Sequence, residues 1–379
     1  MRSIYLDYAA TTPMDERAVQ AMLPYMTQQF GNPSSLHSFG RAARQAAAAA
    51  RGKVAALLGA RPEEIFFTSG GSESDNWALR GLAEANRERG RHIITTAVEH
   101  HAVLHTCRRL EQQGWRVTYL PVDREGRVSL ASLRAAAAAD TVLISVMLAN
   151  NEVGTLQPVA ELATFAKERG ILFHTDAVQA AGHIPIDVRS LPVDALSLSG
   201  HKLYGPKGIG VLYLRRGTAI APLIEGGAQE RELRAGTENV PGIVGLGCAA
   251  ELATAELPEE MRRLAGLRDA LMDGLLTIDG AWINGSRTQR LPGNLSFGIA
   301  GLDAESLLIR LDLAGFAVSA GSACSAGSLE PSQVLTAMGQ PPAQAGSAIR
   351  VTLGRFTTAD ETAAFLAAVR SIAGTQKDK

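Results

Sequence analysis

Thr141-Val142-Leu143-Ile144-Ser145-Val146-Met147 is a continuous apolar run, and residues 159–169 downstream carry apolar side chains at helical spacing. Ile171-Leu172-Phe173-His174 then returns to the short, β-rich texture. A run of this length is bounded like a buried strand, and a strand, a helix and a second strand in this order make a parallel unit. The same alternation extends in both directions. Candidate strands occupy residues 64–68, 92–95, 115–120, 193–198 and 210–213, with amphipathic stretches at 75–87 and 103–112 between them. Repetition of this unit predicts an α/β domain with a mostly parallel sheet and helices on both faces. The alanine-rich stretch 41–58 predicts a helix that ends at Gly59.

The texture changes after residue 255. Residues 256–276 read as one long helix, with Leu264, Leu267, Leu271 and Leu275 on one face. Strand candidates follow at 294–297, 317–319 and 348–352, and helices at 304–312 and 358–372, the last opened by the capping box Thr358-x-x-Glu361. This layout predicts a second, smaller α+β domain.

The chain has 379 residues, with 37 Lys+Arg against 38 Asp+Glu for a net charge of −1, so it lacks the basic excess that direct nucleic-acid binding requires. No apolar run approaches the roughly 18 residues of a spanning helix; the longest candidate, 242–255, carries Glu251. The first residues place Asp7 where a signal peptide has its apolar stretch. A cytoplasmic protein without membrane or nucleic-acid partners is expected. Cys107, Cys248 and Cys324 are too few and too scattered for a disulfide framework, and there is no Cys-x-x-Cys pair. Cys107 and Cys248 sit in helical patterns and read as small buried hydrophobes. Cys324 lies among small residues, Ala320-Gly321-Ser322-Ala323-Cys324-Ser325-Ala326-Gly327, which predict a mobile loop around either an incidental or a functional thiol.

Four local patterns carry chemistry. Thr68-Ser69-Gly70-Gly71-Ser72-Glu73-Ser74 follows a strand and opens a helix, which suits either a phosphate cradle or an ordinary turn. Asp176, in His174-Thr175-Asp176-Ala177-Val178-Gln179, falls at the C-terminal end of a strand, where α/β sheets bind ligands. A carboxylate there suits a metal, a protonated cofactor nitrogen or a helix cap. Lys202, in Ser199-Gly200-His201-Lys202, stands just past a strand and fits a Schiff-base lysine or a basic surface loop. In Glu99-His100-His101-Ala102-Val103-Leu104-His105, His101 and His105 lie four apart as metal ligands do, while one ring would equally stack on a planar cofactor.

Taken together these stretches resemble the cysteine desulfurases within the class V aminotransferase family of pyridoxal-phosphate enzymes. The resemblance also runs through Tyr5-Leu6-Asp7-Tyr8-Ala9-Ala10, Gly31-Asn32-Pro33-Ser34-Ser35, Asn150-Asn151-Glu152-Val153-Gly154, Arg234-Ala235-Gly236-Thr237-Glu238-Asn239 and residues 319–332 and 349–356. Gly-Ser-Ala-Cys-Ser around Cys324 resembles the longer-looped group that serves iron–sulfur assembly and thiolation.

The resemblance implies a pyridoxal-phosphate transferase-like large domain over residues 15–255, with a seven-stranded, mostly parallel sheet. Residues 1–14 and 256–379 would form the small domain carrying the cysteine loop. It implies pyridoxal 5'-phosphate as cofactor, L-cysteine as substrate, a homodimer, and a sulfur-acceptor protein as partner. Lys202 would hold the cofactor and move the substrate α-proton, Asp176 would pair with the ring nitrogen, His100 would stack on the ring and Gln179 would bond its phenolic oxygen. Gly71, Ser72, Ser199 and His201 would hold the phosphate, with Thr237 reaching the partner subunit's cofactor. Asn151, Arg350 and Asn32 would bind substrate, and Cys324 would attack its sulfur; no metal is implied. Gly226-Gly227-Ala228 departs from the family's glycine triplet, and the chain stops soon after its last helix, where some members carry a tail that meets an iron–sulfur scaffold. Other readings are a selenocysteine lyase or an aminotransferase on the same cofactor, and, more remotely, a metal-dependent hydrolase built on His101, His105, His174 and Asp176.

Overall fold

The computed structural model describes residues 3–321 and 331–377. Strand β1 (Ile4–Tyr5) precedes seven strands of one large sheet: β2 (Ile65–Thr68), β3 (His92–Thr96), β4 (Arg116–Leu120), β5 (Thr141–Ser145), β6 (Leu172–Asp176), β7 (Ala195–Ser199) and β8 (Gly210–Leu214). Their order is β2-β8-β7-β6-β5-β3-β4. Only β8 runs against its neighbours; the contacts from β7 through β4 are all parallel. Nearly every residue of β2, β3, β5, β6, β7 and β8 is buried, as a sheet covered on both faces demands. Two apolar clusters fill those faces, one around Phe67, Ile144, Phe173 and Leu198, the other around Phe66, Trp77, Ile93 and Leu143.

Four further strands, β9 (Ala281–Asn284), β10 (Asn294–Ile299), β12 (Ser319–Ala320) and β13 (Ile349–Thr352), form an antiparallel sheet in the order β12-β13-β10-β9, and β11 (Phe316–Ala317) pairs with β1. The single strand expected at 317–319 is thus two, broken at Val318, and its halves serve different sheets. Leu6 packs into the same apolar cluster as Leu271, Phe297, Val351 and Phe365, so the N-terminal segment is built into the C-terminal part of the fold.

The helix expected over 256–276 begins sixteen residues earlier and runs as Val240–Leu276. Its early glycines are contact points. A Cβ on Gly245 would meet the Met22 sulfur at 2.5 Å, and one on Gly247 would meet Ala50 Cβ at 2.6 Å. The alanine-rich helix Ser38–Leu58 and the helix Glu16–Thr27 therefore lie directly against its backbone. By length and composition this helix is apolar enough to cross a membrane; half of its most apolar window is instead buried within the protein. Cys107 is buried as expected, whereas Cys248, on this helix, is only half-buried.

Asp15 joins these parts. It caps the helix Glu16–Thr27 and receives Arg17 through Nε and Nη2 at 2.9 and 2.8 Å, and Arg355, just past β13, through Nη1 at 2.5 Å. The Arg17 hydrogen bonds, helped by Arg355, hold its carboxyl down at about 2 against an ordinary 3.8. A depressed carboxylate stabilises the fold above its unfolded value and loses that contribution as the pH falls through its folded value. Asp15→Asn is therefore expected to cost about 2 kcal/mol at roughly pH 7, and the deficit to shrink as the pH is lowered towards about 2. Urea unfolding of both proteins at neutral and acidic pH checks this; a deficit that does not change with pH would refute it.

Candidate active site

A cavity of about 440 Å³ opens at the C-terminal ends of the parallel strands. Asp176 ends β6, Ser199 ends β7, and Lys202 closes the single helical turn Gly200–Lys202 that follows β7 directly. Strand ends deliver these side chains because each chain must leave the sheet there and turn, exposing its last residue to the crevice.

Lys202 Nζ donates to the carbonyls of Ala9 and Ala10 at 2.5 and 2.8 Å, and Gln179 Nε2 donates to Ala9 at 3.1 Å. The N-terminal segment thus reaches across to the lysine, held there by Thr12, whose N–H and hydroxyl both donate to the His201 carbonyl. Asp176 is buried and its Oδ1 accepts from Val178 N at 2.8 Å. Burial pushes its carboxyl up, while His100 and Lys202 pull it back towards the anion. His100 caps the helix His101–Gln112, its Nδ1 accepting from Ala102 N at 3.1 Å, and its ring lines the cavity.

The helix Gly71–Ala85 starts at the cavity wall, four residues before the expected 75, so its unpaired first-turn donors lie at the Gly71-Ser72 corner. A Cβ on Gly71 would meet Val178 Cγ2 at 2.6 Å, which is why the corner admits no side chain there. His201 faces the same corner, its Nδ1 3.1 Å from Thr11 Oγ1. Burial, together with Lys202 and Lys207, pushes that imidazole down to about 4, so it is neutral at physiological pH.

Arg350, 2 % exposed, comes from β13 of the other sheet. Nη1 donates to the Asn151 carbonyl at 3.1 Å and Nη2 pairs with Asp7 at 2.8 Å; Nε has no partner among the described residues. Ser319 steadies Asp7 from the side at 2.7 Å.

Of the residues singled out in the sequence, Gly71, Ser72, His100, Asn151, Asp176, Gln179, Ser199, His201, Lys202 and Arg350 line this one cavity. Asn32 and Thr237 do not; both are exposed elsewhere on the chain. Cys324 lies outside the described residues. Of the four-residue metal set, His101 and Asp176 both line the cavity, but the other two do not join them. His174 is fully buried with its ring nitrogens engaged by Ser145 and Ser197, and His105 points outwards. The sequence assigns no site role to Asp7, Asp75, Glu99 or Glu152, all of which touch the site or its residues. A signal existed for Asp75, which follows Ser72 by three residues and so shares its helix face.

A lysine amine, a buried carboxylate, an imidazole and a helix start, gathered in one cavity, fit pyridoxal phosphate group by group. Fold and site define a pyridoxal-phosphate enzyme. The family model "Aminotransferase class-V" matches residues 4–365. The chain is 56% identical over 360 residues to the cysteine desulfurase IscS of Methanosarcina thermophila, covering 95% of this chain and 89% of that one. Among solved structures, a NifS-like protein superposes with a TM-score of 0.93 at 42% identity, covering 98% and 100% of the two chains. Another, described as SspA in complex with cysteine, gives a TM-score of 0.83 at 39% identity over 93% and 99%. The chain belongs to the class V aminotransferase family, on its cysteine desulfurase branch.

Proposed function

We propose that the chain converts L-cysteine to L-alanine and takes the sulfur onto Cys324 as a persulfide, for delivery to an acceptor protein in iron–sulfur assembly or thiolation. The observation that carries this reading is the convergence of Lys202, Asp176 and Arg350, from three separate elements, on one cavity. The bound cofactor supplies an electron sink that loosens bonds at the substrate α-carbon. Arg350 and Asn151 hold the substrate carboxylate, Lys202 Nζ takes the α-proton, and Asp176 holds the ring nitrogen protonated. The Cys324 thiolate attacks the substrate sulfur; the new S–S bond forms as the C–S bond breaks, and the electron pair left on carbon takes a proton to give the alanine methyl group. Incubation with L-cysteine and a thiol reductant tests this directly. Alanine and sulfide should appear in equal amounts; pyruvate or products dependent on a keto-acid acceptor would overturn it.

Arg350→Lys keeps a cation for Asp7 but loses the planar fork. It should raise KM for L-cysteine about tenfold or more while leaving the absorbance of the bound cofactor unchanged. Steady-state kinetics with a spectrum of the resting enzyme check this.

The working unit in this reading is a homodimer with composite sites. Arg234 grips Glu73 through Nε and Nη2 at 2.8 and 3.1 Å, fastening the loop of Thr237 to the start of the phosphate-side helix while Thr237 itself stays exposed. Leu36 and Phe30 are 81% and 71% exposed, with Met26, Phe39 and Leu23 also uncovered, a surface that a second copy would bury and that includes the Asn32 segment. Mixing Lys202→Ala with Thr237→Ala chains should restore part of the activity neither has alone, because one heterodimer site is then wild type. A fully active monomer by ultracentrifugation would refute it. A division into residues 15–255 against 1–14 with 256–379, and a cytoplasmic location, belong to the same proposal. The first is supported by the separate apolar clusters.

A further inference from the structure

The ring-nitrogen site contains a second acid. Asp75 is 1 % exposed, lies on the inner face of the helix Gly71–Ala85 and lines the cavity. One ligand-type atom from each of Asp75, Asp176 and His100 lies within 4.8 Å of the other two. Asp75 Oδ1 has no hydrogen-bond partner among the described residues. The groups facing it come from three elements. From β6, His174 presents Nε2 at 3.7 Å, but that imidazole is held by Ser145 and Ser197 at 2.9 and 3.0 Å, and burial pushes it down to about 3, so it brings no charge. Burial above all, then Asp176, also from β6, and Glu99, just past β3, disfavour a negative Asp75, with the Ser197 hydroxyl of β7 acting against them. Glu99 is itself pushed up by burial, to about 8. His100 and Lys202 act on Asp176 and favour its anion.

Two carboxyls this close in a buried site do not both ionise, and the proton goes to the one with less cationic support. We propose that Asp75 carries a proton in the folded protein and is a positioning residue for Asp176: a neutral acid beside that carboxylate, which leaves a single negative charge for the cofactor nitrogen. This rests on the reading of Asp176 as the partner of that nitrogen. Its consequence is a site whose charge is set by two residues, only one of which bonds the cofactor.

Infrared difference spectroscopy of the holoenzyme near neutral pH reads the proton, and spectral titration of cofactor into apoenzyme reads the positioning. Asp75→Asn should remove one protonated-carboxyl C=O component, distinct from the one removed by Glu99→Gln. Because an amide imitates a neutral acid, Asp75→Asn should hold cofactor within about threefold of the wild-type Kd, whereas Asp75→Ala should weaken it by about tenfold or more. A C=O spectrum unchanged by Asp75→Asn would show Asp75 ionised and overturn the proposal. That reading uses the isosteric variant and does not depend on the alanine variant folding. If Asp75→Asn removes the component but Asp176→Asn binds cofactor as wild type does, the assignment of Asp176 fails and the positioning role fails with it, while the proton on Asp75 stands.

Discussion

Lys202→Ala is expected to hold no cofactor covalently and to lose turnover by at least about 10⁴-fold, since in the proposed function one amine would serve both as the attachment point and as the base at the α-carbon. The expectation comes from placement. Lys202 follows β7 within a single turn, so the sheet itself fixes its Cα, and its Nζ is held over the cavity by the Ala9 and Ala10 carbonyls. Carbonyl acceptors stabilise a charged amine without competing covalently for it, so the group is kept in place until cofactor arrives. Lys207 lies outside this cavity, near Gly208 and Ser69, and Lys53 pairs with Glu251 on the helix Val240–Leu276. Borohydride reduction followed by peptide mapping should therefore place the cofactor on Lys202 alone. Recovery on Lys207 or Lys53, or a Lys202→Ala protein that still carries a borohydride-fixed pyridoxyl group after denaturation, would refute the assignment.

Cys324→Ser should keep the cofactor and its spectral response to L-cysteine, yet release sulfide at least about 10³-fold more slowly, because a hydroxyl is a far poorer nucleophile towards sulfur. The described part of the molecule narrows the choice of thiol. Cys107 is buried, and burial with the Glu99 and Glu111 charges pushes it up to about 12, leaving roughly one thiolate in 10⁵ at neutral pH. Burial also raises Cys248, which lies on the long helix, and neither thiol lines the cavity. The segments on either side of residues 322–330 do reach it. Ser319 pairs in register with Arg350, and Pro331, Gln333 and Val334 are in the cavity wall. After a short pulse of L-cysteine, mass spectrometry should find the extra sulfur on the peptide that contains Cys324, and Cys107→Ala and Cys248→Ser should turn over nearly as wild type. Sulfur on the Cys107 or Cys248 peptide would refute the mechanism.

What the sequence determined by itself is whatever depends on near neighbours. The strands from β2 to β8, the helix after Gly70-Gly71, the stop at Gly59 and the capping box at Thr358 and Glu361 are written in runs of a few residues, because periodicity, caps and turns act within one or two helical turns. Lys202 and Asp176 were legible for the same reason: each stands at the end of a recognisable strand, and such ends form the ligand crevice of a parallel sheet. The glycine contacts of the helix Val240–Leu276 were not legible, since a glycine that breaks a helix and one that lets another helix approach look alike until the partner is known. Nor were the pairings that complete the site. Lys202 with Ala9 spans 193 residues of chain, Arg350 with Asp7 spans 343, and the nearness of Asp75 to Asp176 requires a helix to be laid across a sheet. Tertiary packing alone decided these, because a side chain's charge state and partners follow from what burial brings next to it, and residues far apart in sequence carry no local mark of meeting.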